Sequence, residues 1–221
     1  MHLIPTEIEI LDLLRQTGAL REGHFEYPNG LHSARHIAPA LALRFYQDTK
    51  ILTVALSRQL RANVDLRVKM PELSIVSATP AGLPLAQCLG EVLQPRQVYW
   101  GIKDTASDPL RFPQFLKPAA GEKVILVDDI LRTGILIAEA KSLLESYGAE
   151  VIALAVLFDQ RTARTVDFGP LPLYSLVAVH YETYGGPSDC PLCRAKEPLT
   201  RVHQDWKPDE TGQAVLAVDR N

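Results

Sequence analysis

Asp128 and Asp129 stand side by side after the apolar run Val124-Ile125-Leu126-Val127. Ile130, Leu131, Arg132, Thr133, Gly134, Ile135 and Leu136 follow them. The apolar run reads as a buried strand. The periodic stretch from Ile135 to Tyr147 reads as a helix. A loop that opens a helix presents unpaired backbone N–H groups at a positive dipole end, which suits a phosphate. Open α/β sheets bind ligands outside the carboxyl ends of their strands. Adjacent acids at such an end suit sugar hydroxyls or a hard metal ion. Phosphate beside hydroxyls points to a phosphorylated ribose. The plain structural alternative is a buried strand ending in an acidic turn whose carboxylates cap the helix.

Other chemistry-bearing residues lie along the chain. Leu73-Ser74-Ile75-Val76 is a short buried strand, and the small residues Ser77, Ala78 and Thr79 lead through Pro80, Ala81 and Gly82 into a helix from Leu83 to Leu93. Small residues let backbone approach a ligand closely. Lys103 ends a further strand that begins at Gln97. The apolar strand from Ala149 to Phe158 exits into Asp159, Gln160 and Arg161. An arginine fork suits a planar carboxylate because it donates two parallel hydrogen bonds. Cys190 and Cys193 have Cys-x-x-Cys spacing, which is half a zinc site. His203 offers a third ligand, and the same pair from a second chain would make a four-thiolate site. A reduced packing turn or a redox pair fits the same spacing.

The remaining elements are scaffold. Thr6 and Glu9 form a capping box for an N-terminal helix that Gly18 ends. Asn29-Gly30 is a hairpin turn between short strands in a segment carrying His24, His32, Arg35 and His36. Pro39 to Asn63 is helical, with a break expected near Asp48-Thr49. The stretch from Thr105 to Gly121 holds Pro109, Pro113 and Pro118 and reads as a long functional loop. Leu173 to Val179 is the last core strand, and Trp206, Val215 and Leu216 are anchors for the tail.

The chain has 221 residues, 47% hydrophobic and 22% charged, an ordinary globular balance. A net charge of -3 carries no nucleic-acid footprint. No apolar run reaches membrane-spanning length. Glu7, Glu9 and Asp12 among the first residues do not fit a signal peptide. Three cysteines cannot build a disulfide framework. A cytoplasmic protein with no nucleic-acid or membrane partner is expected.

The segment from Val124 to Leu136 resembles the phosphoribosyl-pyrophosphate (PRPP) motif of type I phosphoribosyltransferases. Phe25, Gly30, His32 and Ser33, with the tail Cys190-Pro191-Leu192-Cys193, are similar to orotate phosphoribosyltransferases. The resemblance implies an α/β fold with a mainly parallel central sheet flanked by helices. It implies one domain over 1–221, with a core at about 39–179 and a hood from about 20–38 and 180–221. Asp128, Asp129 and Lys103 are implied as catalytic. Asp128, Asp129, Ile130 to Leu136, Ser77, Ala78, Thr79 and Lys103 are implied to bind PRPP. Phe25, His32 and Arg161 are implied to bind the base. Asp129 is implied to hold Mg2+, directly or through PRPP, and a homodimer is the implied assembly. The acceptor implied is orotate, with a purine as another. The chain departs from the family pattern at Pro28, Ile102, Ile135 and Leu136. Those departures imply the alternative of a PRPP- or nucleotide-binding regulatory protein on the same fold.

Overall fold

A computed structural model of the chain describes residues 5–105 and 107–202. Helix α1 covers Glu7–Gln16. Its capping box is formed: the Thr6 N–H donates to Glu9 Oε2 at 2.7 Å, and the Glu9 N–H donates to Thr6 Oγ1 at 3.3 Å. Gly18 turns the chain away at φ +73°. Strands β1 (Leu20–Glu26) and β2 (His32–Ile37) form the expected antiparallel hairpin. Helices α2 (Ala40–Leu43) and α3 (Tyr46–Ala62) follow. The break between them falls at Phe45, which is extended, and not near Asp48-Thr49 as expected. Both Asp48 and Thr49 are buried in α3, and the Thr49 hydroxyl donates to the Leu43 carbonyl. That bond satisfies an orphan carbonyl of α2.

Helix α4 (Val64–Lys69) and a short 3-10 turn lead to β3 (Ser74–Ser77). Then come α5 (Leu83–Leu93), β4 (Gln97–Trp100), β5 (Lys123–Leu131) and α6 (Ile135–Ser146). Strands β6 (Glu150–Asp159) and β7 (Leu173–Ala178) complete this region. The short β8 (Thr183–Tyr184), α7 (Pro191–Arg194) and β9 (Leu199–Arg201) close the described chain. Among the described residues no helix is long and apolar enough to cross a membrane.

Contacts divide the described chain into two units. One joins residues 5–10 with Leu43–Val179. It holds a five-stranded sheet in the order β4-β3-β5-β6-β7, every pair parallel. Strand β5 lies at its centre, and Val124 to Val127 are at most 1% exposed. A strand covered on both faces needs such a continuous apolar run. The chain moves from β3 outward to β4, then returns to the other side of β3 as β5. This reversal makes a switch point between β3 and β5, and the crevice at their carboxyl ends is where such sheets bind ligands. The second unit joins Leu11–Ala42 with residues 180–202. Its sheet has the order β8-β2-β1-β9.

At the amino end of β5, Glu122 is a buried acid that the sequence reading passed over. Its carboxylate accepts from Ser74 Oγ, from Gln97 Nε2 at 2.7 Å, from Tyr99 Oη at 3.1 Å and from the Ala119 N–H at 2.8 Å. Burial pushes its carboxyl up, but these four donors outweigh burial and hold it below the usual value. Tyr99 is pushed up to about 12, by burial first and then by the Glu122 charge. Glu122 so ties β3, β4 and β5 together. Glu122→Ala is expected to cost about 3 kcal/mol in urea unfolding, because it strands four donors. A carboxyl held low in the folded state stabilises above its unfolded pKa and loses that effect on acidification. The gap between wild type and variant should therefore narrow below about pH 4.

Candidate active site

Strand β5 continues past the apolar run, so the two acids lie within it. Asp128 pairs with Val156 of β6, and Leu131 pairs with Asp159. Asp128 and Asp129 are 5% and 6% exposed. Asp128 Oδ1 accepts from Thr79 Oγ1 at 2.7 Å and from the Asp129 N–H at 3.0 Å. Burial, then the adjacent Asp129 charge, raises the Asp128 carboxyl well above the usual carboxylate range. Burial also raises Asp129, and the Arg132 charge pulls it partly back.

The turn after β3 is built against these acids. Ser77 Oγ donates to the Thr79 carbonyl at 2.6 Å, and the Gly82 N–H donates to Thr79 Oγ1 at 3.2 Å. Gly82 is required by proximity. A Cβ there would lie 2.8 Å from Asp128 Oδ1 and 3.0 Å from Asp128 Cα. Ser77, Ala78 and Thr79, implied to bind PRPP where small residues let the backbone approach closely, lie in this turn. All three are buried, with both hydroxyls spent inside the turn, while Pro80 and Ala81 carry its exposed surface.

The loop after β5 enters α6 through Gly134, at φ +74°. The first turn of a helix leaves its N–H groups without intrahelical partners. Leu131, within the segment implied to bind PRPP, is 1% exposed, and its side chain belongs to the core. Ile130, Arg132, Thr133 and Leu136 are half-buried, and Ile135 is exposed. The segment after β6 braces this loop, a feature absent from the sequence reading. The Val166 N–H donates to the Thr133 carbonyl at 2.9 Å, and Thr165 Oγ1 donates to the Arg132 carbonyl. Phe168 covers Gly134 so closely that a Cβ there would meet its ring at 3.0 Å.

Arg132, Lys103 and Arg161 are each partnered within this unit. Arg132 Nε donates to Gln160 Oε1 at 2.7 Å, with Gln160 buried. Lys103 Nζ lies 2.7 Å from Glu139 Oε2 on α6, so the expected catalytic cation is held by a carboxylate. Arg161 turns back on Asp159, with Nε 2.9 Å from Oδ1 and Nη2 2.8 Å from Oδ2. The long loop expected to be functional is anchored at its near end. Ile102 and Arg111 form an antiparallel bridge, the Leu110 N–H donates to Glu139 Oε1 at 2.6 Å, and Leu110 and Phe112 are buried. Its basic residue Arg111 pairs with Asp104.

In the second unit Phe25 is buried, with His36 5.5 Å away, ring centre to ring centre. His32, expected to touch the base, is 1% exposed and faces His24, Cys190 and Cys193. Its placement corrects that expectation, because a ring enclosed among thiols has no open face for a base. His203, the ligand expected to join Cys190 and Cys193, lies outside the described residues, as do Trp206, Val215 and Leu216.

A buried acid pair and a helix start at the switch point of a parallel sheet define a phosphoribosyltransferase-type α/β domain. A family profile described as the phosphoribosyl transferase domain matches residues 90–170, which contain the acids and the loop. The fold resembles the crystal structure of orotate phosphoribosyltransferase from Aeropyrum pernix, with a TM-score of 0.61 and 20% identity. That match covers 77% of this chain and 93% of the other. The sequence is 32% identical to orotate phosphoribosyltransferase of Thermotoga maritima over 192 residues, 87% of this chain and 96% of the relative. It is 35% identical to that of Novosphingobium aromaticivorans over 185 residues, 84% of this chain and 90% of the relative. The chain belongs to the orotate phosphoribosyltransferase family.

Two substitutions test the site. Gly82→Ala should lower kcat/KM for the family reaction at least about tenfold, since an ångström of displacement at a reacting group costs more than that. Circular dichroism should show it still folded. Asp128→Asn keeps an acceptor for Thr79 and removes one of two buried like charges. A carboxyl raised in the folded state stabilises only at low pH and loses that contribution as pH rises through its folded pKa. Calorimetry should therefore find Asp128→Asn more stable than wild type at neutral pH, with the gain fading on acidification.

Proposed function

We propose that this chain transfers the 5-phosphoribosyl group of PRPP to orotate, releasing pyrophosphate and forming orotidine 5'-phosphate, a step of pyrimidine biosynthesis. The observation that carries this reading is the buried acid pair near the end of β5, joined by one short loop to the start of α6. The relatives named orotate phosphoribosyltransferase support the choice of acceptor.

The backbone N–H groups of Thr133 to Leu136 receive the 5-phosphate, and the dipole of α6 favours its charge. Asp128 and Asp129 accept hydrogen bonds from the ribose hydroxyls. As the C1–oxygen bond breaks, its electron pair leaves with pyrophosphate and C1 becomes cationic. The two carboxylates stabilise that charge from fixed positions. A ring nitrogen of orotate then gives its electron pair to C1 and passes its proton to the departing pyrophosphate. Lys103 is the proposed cation for the leaving group, and serves there by exchanging Glu139 for pyrophosphate. Phe25 and Arg161 are the proposed base contacts, with Arg161 exchanging Asp159 for the orotate carboxylate.

Mg2+ is the metal this family's substrate implies. The residues fit it, because Asp128 and Asp129 offer hard oxygen ligands whose ionised form is strained by burial and mutual repulsion. Asp129 would hold the ion directly or through PRPP. When bound, Mg2+ neutralises charge on the pyrophosphate and hydroxyl oxygens. The proposal includes a cytoplasmic homodimer, which light scattering and cell fractionation test.

A second reading is a PRPP-binding protein with weakened chemistry. It is favoured by Lys103 and Arg161 both being paired with the chain's own carboxylates. An assay with PRPP, Mg2+ and orotate separates the two, read as loss of orotate absorbance. Turnover that Asp129→Asn abolishes is the expected result. PRPP binding by calorimetry without turnover would establish the second reading, and turnover with a purine alone would replace the acceptor.

The carboxylates must be ionised to stabilise a cation. Since both are raised, log kcat/KM should fall on acidification with a midpoint above the usual carboxylate value of about 4. Arg161→Ala should raise the KM for orotate about tenfold or more and leave that for PRPP nearly unchanged, as loss of a charged hydrogen-bond pair predicts.

A further inference from the structure

We propose that His24, His32, Cys190 and Cys193 form a structural zinc site within the second unit. Two imidazoles from the hairpin and two thiols from the start of α7 converge there, and their ligand atoms all lie within 4.8 Å of one another. His24 Nε2 is 2.9 Å from His32 Nδ1, 3.5 Å from Cys190 Sγ and 3.4 Å from Cys193 Sγ. His32 Nδ1 is 3.4 Å from Cys193 Sγ. Tetrahedral zinc, with Zn–S near 2.3 Å and Zn–N near 2.0–2.1 Å, sets sulfur–nitrogen edges of about 3.5 Å and a nitrogen–nitrogen edge of about 3.3 Å. Three sulfur–nitrogen distances already match, the two imidazoles need to part by a few tenths of an ångström, and every other separation lies within 4.8 Å.

The backbone is shaped to bring these atoms together. Between Glu22 and Phe25, β1 has two residues, Gly23 and His24, where β2 has one, Ala34. This bulge re-aims the side chain next to it. Gly23 sits at φ +153°, which favours glycine. On the other side β9 pairs with β1 in parallel, His24 opposite Leu199, and draws the segment after α7 alongside. Pro191 starts α7 directly after Cys190, and the short helix turns Cys193 back toward it.

The ring chemistry agrees. His24 Nδ1 lies 3.0 Å from the Glu197 carbonyl. A carbonyl only accepts, so Nδ1 carries the proton and Nε2 presents its lone pair to the thiols. A histidine ligand typically shows this outer bond, which fixes its tautomer. His32 Nε2 is buried with no hydrogen-bond partner, leaving Nδ1 as its engaged nitrogen. Three of the four residues are buried and Cys193 is half-buried, so the set is enclosed and has four protein ligands, the mark of a structural rather than a catalytic site. Two thiolates and two neutral imidazoles balance the charge of a divalent ion. Thiolate with imidazole selects zinc over magnesium or calcium.

The site also meets a structural need. The second unit is assembled from two chain segments separated in sequence by most of the first unit. A metal tying 24 and 32 to 190 and 193 joins those segments, in the way small units compensate for a small core.

The test is elemental analysis of the full chain purified without chelator from zinc-supplemented medium. About one zinc per chain is expected. Co2+ exchanged into the site should give the intense visible bands of a tetrahedral thiolate complex. Removal of the ion from wild type with a chelator should lower Tm, and added Zn2+ should restore it. His24→Ala, His32→Ala and Cys190→Ser should each hold less than a tenth of the wild-type zinc. His32→Cys supplies a replacement ligand and should retain it, so loss of metal is separable from loss of fold. Cys88→Ser, in α5, should retain it as well. A metal-free chain with Cys190 and Cys193 joined in a disulfide would overturn the proposal in favour of a redox pair. Zinc that survives both histidine-to-alanine substitutions would overturn it in favour of a cluster shared between chains through the cysteines. Neither result bears on transfer to orotate, which is read by the absorbance assay.

Discussion

Two adjacent carboxylates on a strand buried on both faces set the terms for everything around them. Burial alone disfavours both charges, and each disfavours the other. The chain's answers are local and few. Thr79 and the Asp129 N–H serve one oxygen of Asp128, and the Arg132 charge acts on Asp129. Each answer then constrains another element. Thr79 reaches Asp128 only because the turn after β3 folds tightly on Ser77, and that turn closes only because Gly82 has no Cβ. Arg132 is in turn held by Gln160 at the end of β6. The packing of three strand ends so follows from one unfavourable electrostatic arrangement.

The same strand carries the opposite solution at its other end. Glu122 is buried to about the same degree as the two aspartates, yet its carboxyl is held low rather than raised. The difference is donors. Four protein groups surround Glu122 and complete its hydrogen bonding, whereas the aspartates share few. A fully satisfied buried acid rigidifies a fold. An under-satisfied pair in a crevice remains responsive to a ligand that brings hydroxyls or cations. The direction of the pKa shift thus distinguishes the end of β5 that holds the sheet from the end that faces chemistry.

What a sequence reveals here follows contact distance along the chain. The acids, Gly134 and the start of α6 lie within one continuous stretch, so order and spacing expose them. The Thr79–Asp128 bond joins residues 49 apart, and the hydroxyl reads there as an ordinary small loop residue. Gly82 shows in the sequence as a flexible residue, while its real role is to leave room. No break falls at Asp48-Thr49, because both residues are buried in α3, where the Thr49 hydroxyl caps the preceding helix. His24 and His32 have no spacing that relates them to Cys190 and Cys193, and His203 was the nearer candidate. Only the hairpin bulge and the pairing of β9 with β1 bring the four together.

The cations of the first unit show how departures from a family pattern are accommodated. An isoleucine at 102 leaves Lys103 alone at its strand end, and Lys103 is tied to Glu139 with both side chains mostly shielded, 20% and 30% exposed. Arg161 sits on Asp159 with about half its side chain in solvent, 52% exposed. Ion pairs open to water are worth only ~0–1 kcal/mol, because solvent screens the charges. Asp159 is only 9% exposed, however, so the pair is screened on the arginine side alone, and drawing Arg161 away leaves a buried carboxylate with the Arg161 backbone N–H as its donor. Lys103 is less screened, and drawing it from Glu139 leaves a carboxylate beside the backbone N–H of Leu110, which still donates to it. That remaining bond still favours the ionised form of Glu139, but burial raises its carboxyl and the lowering that outweighs burial owes most to Lys103 itself, so much of it leaves with the lysine. Each exchange thus strands a carboxylate that keeps one backbone donor, and because Asp159 is more buried than Glu139 the exchange is costlier at the base end than at the pyrophosphate end.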